Sequence, residues 1–153
     1  VFAGPVVKDM ELSAAKKLAI TALEECAEFA GRHGIFLGLE NHHGIVAEPE
    51  DLLDIVKAVN SPWFGINLDT GNFYTDDPYA DLARCAPYAV NVQVKMEIRR
   101  RADKEKSRAD LRRLIQILRD ANYQGWVALE HEVREDPWAT VPGYLAELRK
   151  LLA

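Results

Sequence analysis

Glu40, Asp69, Gln93 and Glu130 are the side chains in this sequence with chemistry to offer. Each lies at or near the end of a short run of alternating residues: Ile35 to Glu40, Phe64 to Asp69, Ala89 to Lys95 and Trp126 to Glu130. Strand residues alternate between two faces, so parity decides which side chains stand together. Phe36, Gly38 and Glu40 then oppose Ile35, Leu37 and Leu39. Gly65, Asn67 and Asp69 oppose Ile66 and Leu68. Asn91, Gln93 and Lys95 oppose Val90, Val92 and Val94, and Ala128 and Glu130 oppose Val127 and Leu129. One face is aliphatic and the other small or polar. Three carboxylates gathered with an amide on the polar face repel one another and raise each other's pKa. A divalent cation resolves that conflict. Oxygen-rich ligation favours Mn²⁺ or Mg²⁺, with Co²⁺ and Zn²⁺ as alternatives.

The elements that must position these groups alternate along the chain. Helices are predicted over 13–33 (apolar face Leu18, Ala22, Leu23, Cys26, Ala27 and Ala30), 49–60, 78–86, 109–121 and within 138–152. Val1 to Gly4 reads as a further short strand. Connections that contain a helix imply parallel strands. A parallel sheet covered by helices on both faces reads as near-continuous apolar runs, which these strands are not. A barrel fits better, with aliphatics outward against helices and polar groups inward at the C-terminal ends of the strands, where barrel enzymes build their sites. Between Met96 and Arg108 lies one charged run, read as a solvated loop or as a lid over an anionic substrate.

Composition narrows the class. The chain has 153 residues, is 48% hydrophobic, and carries a formal net charge of −5. That balance excludes a disordered or collagen-like chain and argues against binding through phosphate neutralisation. No apolar run approaches the roughly 18 residues of a spanning helix. Cys26 and Cys85 sit in unrelated patterns and read as reduced, buried thiols of a cytoplasmic protein. The chain opens on Val1, so a signal peptide upstream is left open.

The runs Leu39-Glu40-Asn41-His42-His43-Gly44, Asn67-Leu68-Asp69-Thr70-Gly71-Asn72, Val92-Gln93-Val94-Lys95 and Val127-Ala128-Leu129-Glu130 resemble the xylose-isomerase-like TIM barrels, within them the sugar phosphate isomerase/epimerase branch. The resemblance implies a metal held by Glu40, Asp69 and Glu130, with Gln93 standing where the family usually has a His. A Gln carbonyl oxygen suits a hard cation better than Zn²⁺. It implies proton transfer beside a carbonyl through an enediolate that the metal stabilises, with Glu40 and Glu130 as the acid–base pair and Lys95 stabilising developing negative charge. His42, Asn72 and Arg99 are the implied substrate contacts; Asn72 replaces a His found in several members. His131 shares the outward parity of Leu129 and is read as a packing or helix contact. Trp63, Trp126 and Trp138 are read as core or rim packing.

The implied partner is a small sugar or polyol, with no nucleic acid and no membrane; a homo-oligomer is left open. Alternatives are a dehydratase acting on a cyclic polyol ketone and a non-catalytic, decayed barrel domain. A full barrel takes about 250 residues. The resemblance therefore implies an α/β chain of parallel (β/α) units forming roughly the last five of eight TIM-barrel strands, with Val1 to Gly4 as the fourth. Residues 1–153 are then the C-terminal portion of a single domain, and its two end strands are open edges prone to association.

Overall fold

The computed structural model describes all residues from Val1 to Ala153. In chain order the elements are α1 (Leu12–Arg32), β1 (Leu37–Glu40), α2 (Pro49–Val59), β2 (Phe64–Asp69), α3 (Pro78–Cys85), β3 (Ala89–Lys95), β4 (Glu97–Ile98), β5 (Ser107–Arg108), α4 (Leu111–Asp120), β6 (Val127–Glu130) and α5 (Pro137–Leu152). Strands β1, β2, β3 and β6 pair in that order as one parallel sheet. The charged run folds back on itself as a two-stranded hairpin, β4 with β5.

Local chemistry sets the helix ends. Pro49, Pro78 and Pro137 occupy first-turn positions, where the missing N–H costs nothing. Asp77, Asp110 and Asp136 accept backbone N–H groups of the helices that follow them. Asn60 closes α2 in the left-handed region at φ 44°.

The aliphatic face of the sheet carries the core. Leu39, Ile66, Leu68, Val92 and Val94 are buried in one cluster with Leu52, Ile55 and Val56 of α2, Leu82 of α3, and Leu114, Ile115 and Leu118 of α4. Each such side chain contributes about 1.5–3 kcal/mol relative to exposure. The opposite face carries Gly38, Gly65, Asn67, Asp69, Gln93, Lys95 and Glu130. The architecture is that of part of a TIM barrel.

Four expectations change. Val90 does not join the aliphatic face. Ala89 pairs with Ile66 and Asn91 with Asn67, so the β2–β3 register shifts by one residue there. Val90 is the extra residue of this bulge, and its side chain lies over Gly65 and Gly38. A Cβ at Gly65 would sit 2.6 Å from both Val90 Cγ1 and the Tyr88 carbonyl oxygen, so glycine there makes the room. Second, Val1 to Gly4 is not a strand. Only Val1 pairs, donating to Gly38 O at 2.8 Å and accepting from Glu40 N at 3.0 Å, before Gly4 turns away at φ 79°.

Third, α1 buries Ala15, Ala27 and Ala30, whereas Leu18, Ala22 and Cys26 are exposed. Only one stripe of this helix meets α2, and no element covers the other. Cys85 is buried as expected, and burial pushes its thiol up to about 12. Fourth, Trp126, just before the edge strand β6, and Trp138, in the first turn of α5, are 84% and 90% exposed rather than packed. Trp63 does pack, against Gly31 and Phe36. No helix is long and apolar enough to cross a membrane.

The Gly65 contact predicts that Gly65→Ala lowers the unfolding free energy by about 1–3 kcal/mol in urea. Gly143→Ala, in open space within α5, should instead raise it by up to about 1 kcal/mol.

Candidate active site

The polar groups meet at the C-terminal end of the sheet, but not in one level row. Glu40 is level with Asn67, Asp69 with Gln93, and Lys95 with Glu130. The stagger carries the site obliquely across four strands. It also brings in Asn67 and Asn91, whose inward parity matches that of Asp69 and Gln93 but whose role the carboxylate pattern did not show.

Asp69 is the best-fixed group. Asn41, itself buried, donates to Asp69 O and accepts from Asp69 N, both at 2.8 Å, tying the ends of β1 and β2. Gly71 N donates to Asp69 Oδ1 at 2.8 Å, while the buried Oδ2 accepts no hydrogen bond. Burial raises the Asp69 pKa to about 7, reinforced by the adjacent Glu130 carboxylate and opposed by the Gly71 N–H and Lys95.

Lys95 supplies the local positive charge. Its Nζ lies 3.2 Å from Asp69 Oδ2, 3.6 Å from Glu130 Oε1 and 3.0 Å from Glu132 Oε2, and donates to Asn72 Oδ1 at 2.8 Å. Burial disfavours its ammonium, but Asp69, Glu132 and Glu130 outweigh this and raise its pKa. Burial likewise works against the Glu132 carboxylate, yet Lys106 and Lys95 hold its pKa below the usual range. Gly71 lets the lysine reach inward, since a Cβ there would stand 2.8 Å from Lys95 Cδ. Thr70 Oγ1 accepts from Lys95 N at 3.0 Å and steadies the strand end.

Amides link the carboxylates. Asn67 Nδ2 donates to Glu40 Oε2 at 2.8 Å and also to Gln93 Oε1; Gln93 Nε2 donates to Glu130 Oε2 at 2.6 Å. Asn91 Nδ2 donates to Asn67 Oδ1 at 2.7 Å, and Asn72 reaches Glu40 Oε1 at 3.3 Å.

The remaining expected contacts lie around this row. His42 packs between Phe2 and His43, with ring centroids 5.1 and 4.1 Å away. With Asn72, Tyr74 and Glu48 it lines a cleft of about 340 Å³. Arg99 stacks its guanidinium 4.2 Å from the Tyr74 ring centroid. His131 meets Thr140 Oγ1 of α5 at 3.0 Å, the helix contact its parity implied. Beyond Glu132, a wholly polar cleft of about 510 Å³ lies between the β4–β5 hairpin and the loop after β6. Glu97, Glu105, Glu132 and Glu135 line it against Lys104, Lys106 and Arg134.

No three carboxylate, imidazole or thiol groups converge as a ready-made chelate. The donor chemistry nevertheless suits a hard cation. Asp69 Oδ2 is buried without a hydrogen bond beside a second carboxylate, and no sulfur or imidazole competes in the row.

A sequence model of the family described as "xylose isomerase-like TIM barrel" matches residues 1–151. The chain belongs to that family. No curated protein sequence matches it. Among solved structures it is similar to 3-keto-D-glucoside 4-epimerase from E. coli (22% identity, TM-score 0.74, covering 94% of this chain and 57% of that one). It is similar to D-psicose 3-epimerase from Clostridium cellulolyticum H10 (18%, 0.76, 95% and 59%). It is also similar to a xylose isomerase-like TIM barrel protein from Mycobacterium smegmatis solved with magnesium (22%, 0.73, 97% and 55%). The chain thus spans a little over half the length of these relatives.

The Lys95 contacts predict that Lys95→Met removes the cation shared by three carboxylates, leaving Asp69 and Glu130 without one while Glu132 keeps Lys106, and lowers the unfolding free energy at neutral pH by about 3–5 kcal/mol. Adding Asp69→Asn should recover part of that loss in the same urea titration.

Proposed function

We propose that this chain carries the catalytic end of a metal-dependent sugar isomerase or epimerase that moves a proton on a carbon beside a carbonyl. The observation that carries the reading is the placement of two carboxylates, Glu40 and Glu130, at opposite ends of one hydrogen-bonded row, with the Lys95 ammonium alongside. Family membership supports it, as do structural neighbours that include sugar epimerases.

Glu40, Asp69 and Glu130 would hold the divalent cation, Mn²⁺ or Mg²⁺, with Gln93 beside them. When bound, the cation supplies Lewis-acid polarisation of a carbonyl oxygen. Glu130 takes the proton from one face of the substrate carbon, and Glu40 returns one from the other. Asn67 and Asn72 aim Glu40 by donating to its two oxygens. Lys95 offers its ammonium to negative charge developing on oxygen. His42 and Asn72 bound the cleft that receives the sugar, and Arg99 closes it through Tyr74.

The charges around the site favour an unphosphorylated sugar. The hairpin cleft sets four acids against three bases, and two of the neighbouring arginines are engaged: Arg99 on Tyr74, and Arg101 with Glu48 at 2.7 Å. That weighs against a lid for an anionic substrate. The free thiols suit a reducing compartment, and we place the reaction in the cytoplasm.

The test is incubation of the Mn²⁺-loaded protein with D-fructose in D₂O, read by proton NMR. Deuterium should enter at the carbon beside the carbonyl, and Glu130→Gln should abolish this while keeping the far-UV spectrum. Full exchange in that variant would remove the acid–base assignment. Loss of water to an enone from a cyclic polyol ketone would point instead to a dehydratase, and no binding of Mn²⁺ would remove both readings.

A further inference from the structure

We infer that Gln93 is a positioning residue that aims Glu130 by donating its amide N–H, and that it leaves the cation to the carboxylates alone. This rests on the cation-dependent reading above and deepens it. The sequence position suggested the opposite, a Gln oxygen ligating the metal in place of an imidazole.

The argument is one of hydrogen-bond direction. A carboxylate that is ionised can only accept, and an amide has one accepting and one donating end. Glu40 Oε2 therefore requires the NH₂ end of Asn67, at 2.8 Å. The carbonyl end of Asn67 is then free for Asn91, whose Nδ2 donates to it at 2.7 Å. The NH₂ of Asn67 also faces Gln93, so Gln93 meets it with its oxygen. The remaining NH₂ end of Gln93 points at Glu130 Oε2, which accepts at 2.6 Å. Glu40 and Glu130, both acceptors, fix the orientation of every amide between them. Reversing Gln93 would set NH₂ against NH₂ at Asn67 and oxygen against oxygen at Glu130.

Two consequences follow for the cation. The Gln93 oxygen is turned toward Asn67 and engaged there, and the NH₂ end facing Glu130 has no lone pair to give. Asp69 Oδ2, in contrast, is buried without a hydrogen bond and faces the Lys95 ammonium at 3.2 Å. The oxygens least engaged, and so open to a hard cation, are Asp69 Oδ2 and Glu130 Oε1, with Glu40 Oε1 held only by the 3.3 Å bond from Asn72. Gln93 sets the angle at which Glu130 offers one oxygen while its other is held, the task that supporting hydrogen bonds perform around metal ligands.

The experiment is NMR of the uniformly ¹³C,¹⁵N-labelled protein titrated with Mg²⁺. Before any Mg²⁺ is added, the Gln93 side-chain NH₂ should exchange slowly with solvent; fast exchange overturns the hydrogen bond to Glu130. On titration, the side-chain carboxyl carbons of Glu40, Asp69 and Glu130 should shift while Gln93 Cδ keeps its position. Movement of Gln93 Cδ in step with the carboxylates makes it a ligand and overturns the inference. The Gln93→Leu variant should bind Mg²⁺ about 10- to 100-fold more weakly, the usual cost of losing a supporting bond, and still show all three carboxylate shifts at saturation. Their loss at saturation overturns the inference as well. Slow exchange of the Gln93 amide with no Mg²⁺ response anywhere keeps the hydrogen bond but removes the cation, and the reading above falls separately.

Discussion

Like charges gathered at one end of a parallel sheet are the condition that the rest of this molecule accommodates. Asp69 is buried, with Glu130 beside it and Glu40 one strand beyond, in surroundings where an uncompensated carboxylate costs several kcal/mol. Lys95 answers that condition from within the chain, and its position requires two concessions from the backbone. Gly71 must lack a side chain for the lysine stem to pass, and β3 must gain a residue at Val90 so that Asn91, Gln93 and Lys95 fall into step with β2. The bulge, the glycines and the amide row are parts of one arrangement.

Much of this was legible in the sequence, for physical reasons. A period of two separates faces whatever the sheet is doing, so the inward parity of Glu40, Asp69, Gln93, Lys95 and Glu130 could be read directly. Helix boundaries followed from proline and asparagine at the ends, as at Pro49 and Asn60. Strands Phe64–Asp69 and Ala89–Lys95 match residue for residue.

What escaped was whatever depends on neighbouring strands. Parity says nothing of register, so it could not show the one-residue shift at Val90, the level pairing of Lys95 with Glu130, or the place of Asn67 between Glu40 and Gln93. Periodicity likewise finds an apolar stripe but not its cover. Leu18 and Cys26 follow the helical pattern of α1 and are exposed, and Trp126 and Trp138 carry large apolar surfaces into solvent.

The loops above the site are tied together through Arg101. Arg101, in the hairpin turn, donates its backbone N–H to Thr75 O at 2.8 Å, its Nε to Tyr74 O and its guanidinium to Glu48, while its own carbonyl accepts from the Tyr74 hydroxyl. One side chain thereby joins the segments that follow β1, β2 and β3. These segments are mechanically in series. The hairpin cannot swing away without pulling on the stretch that bears Asn72, so access to the cleft and the aim of Glu40 belong to the same motion.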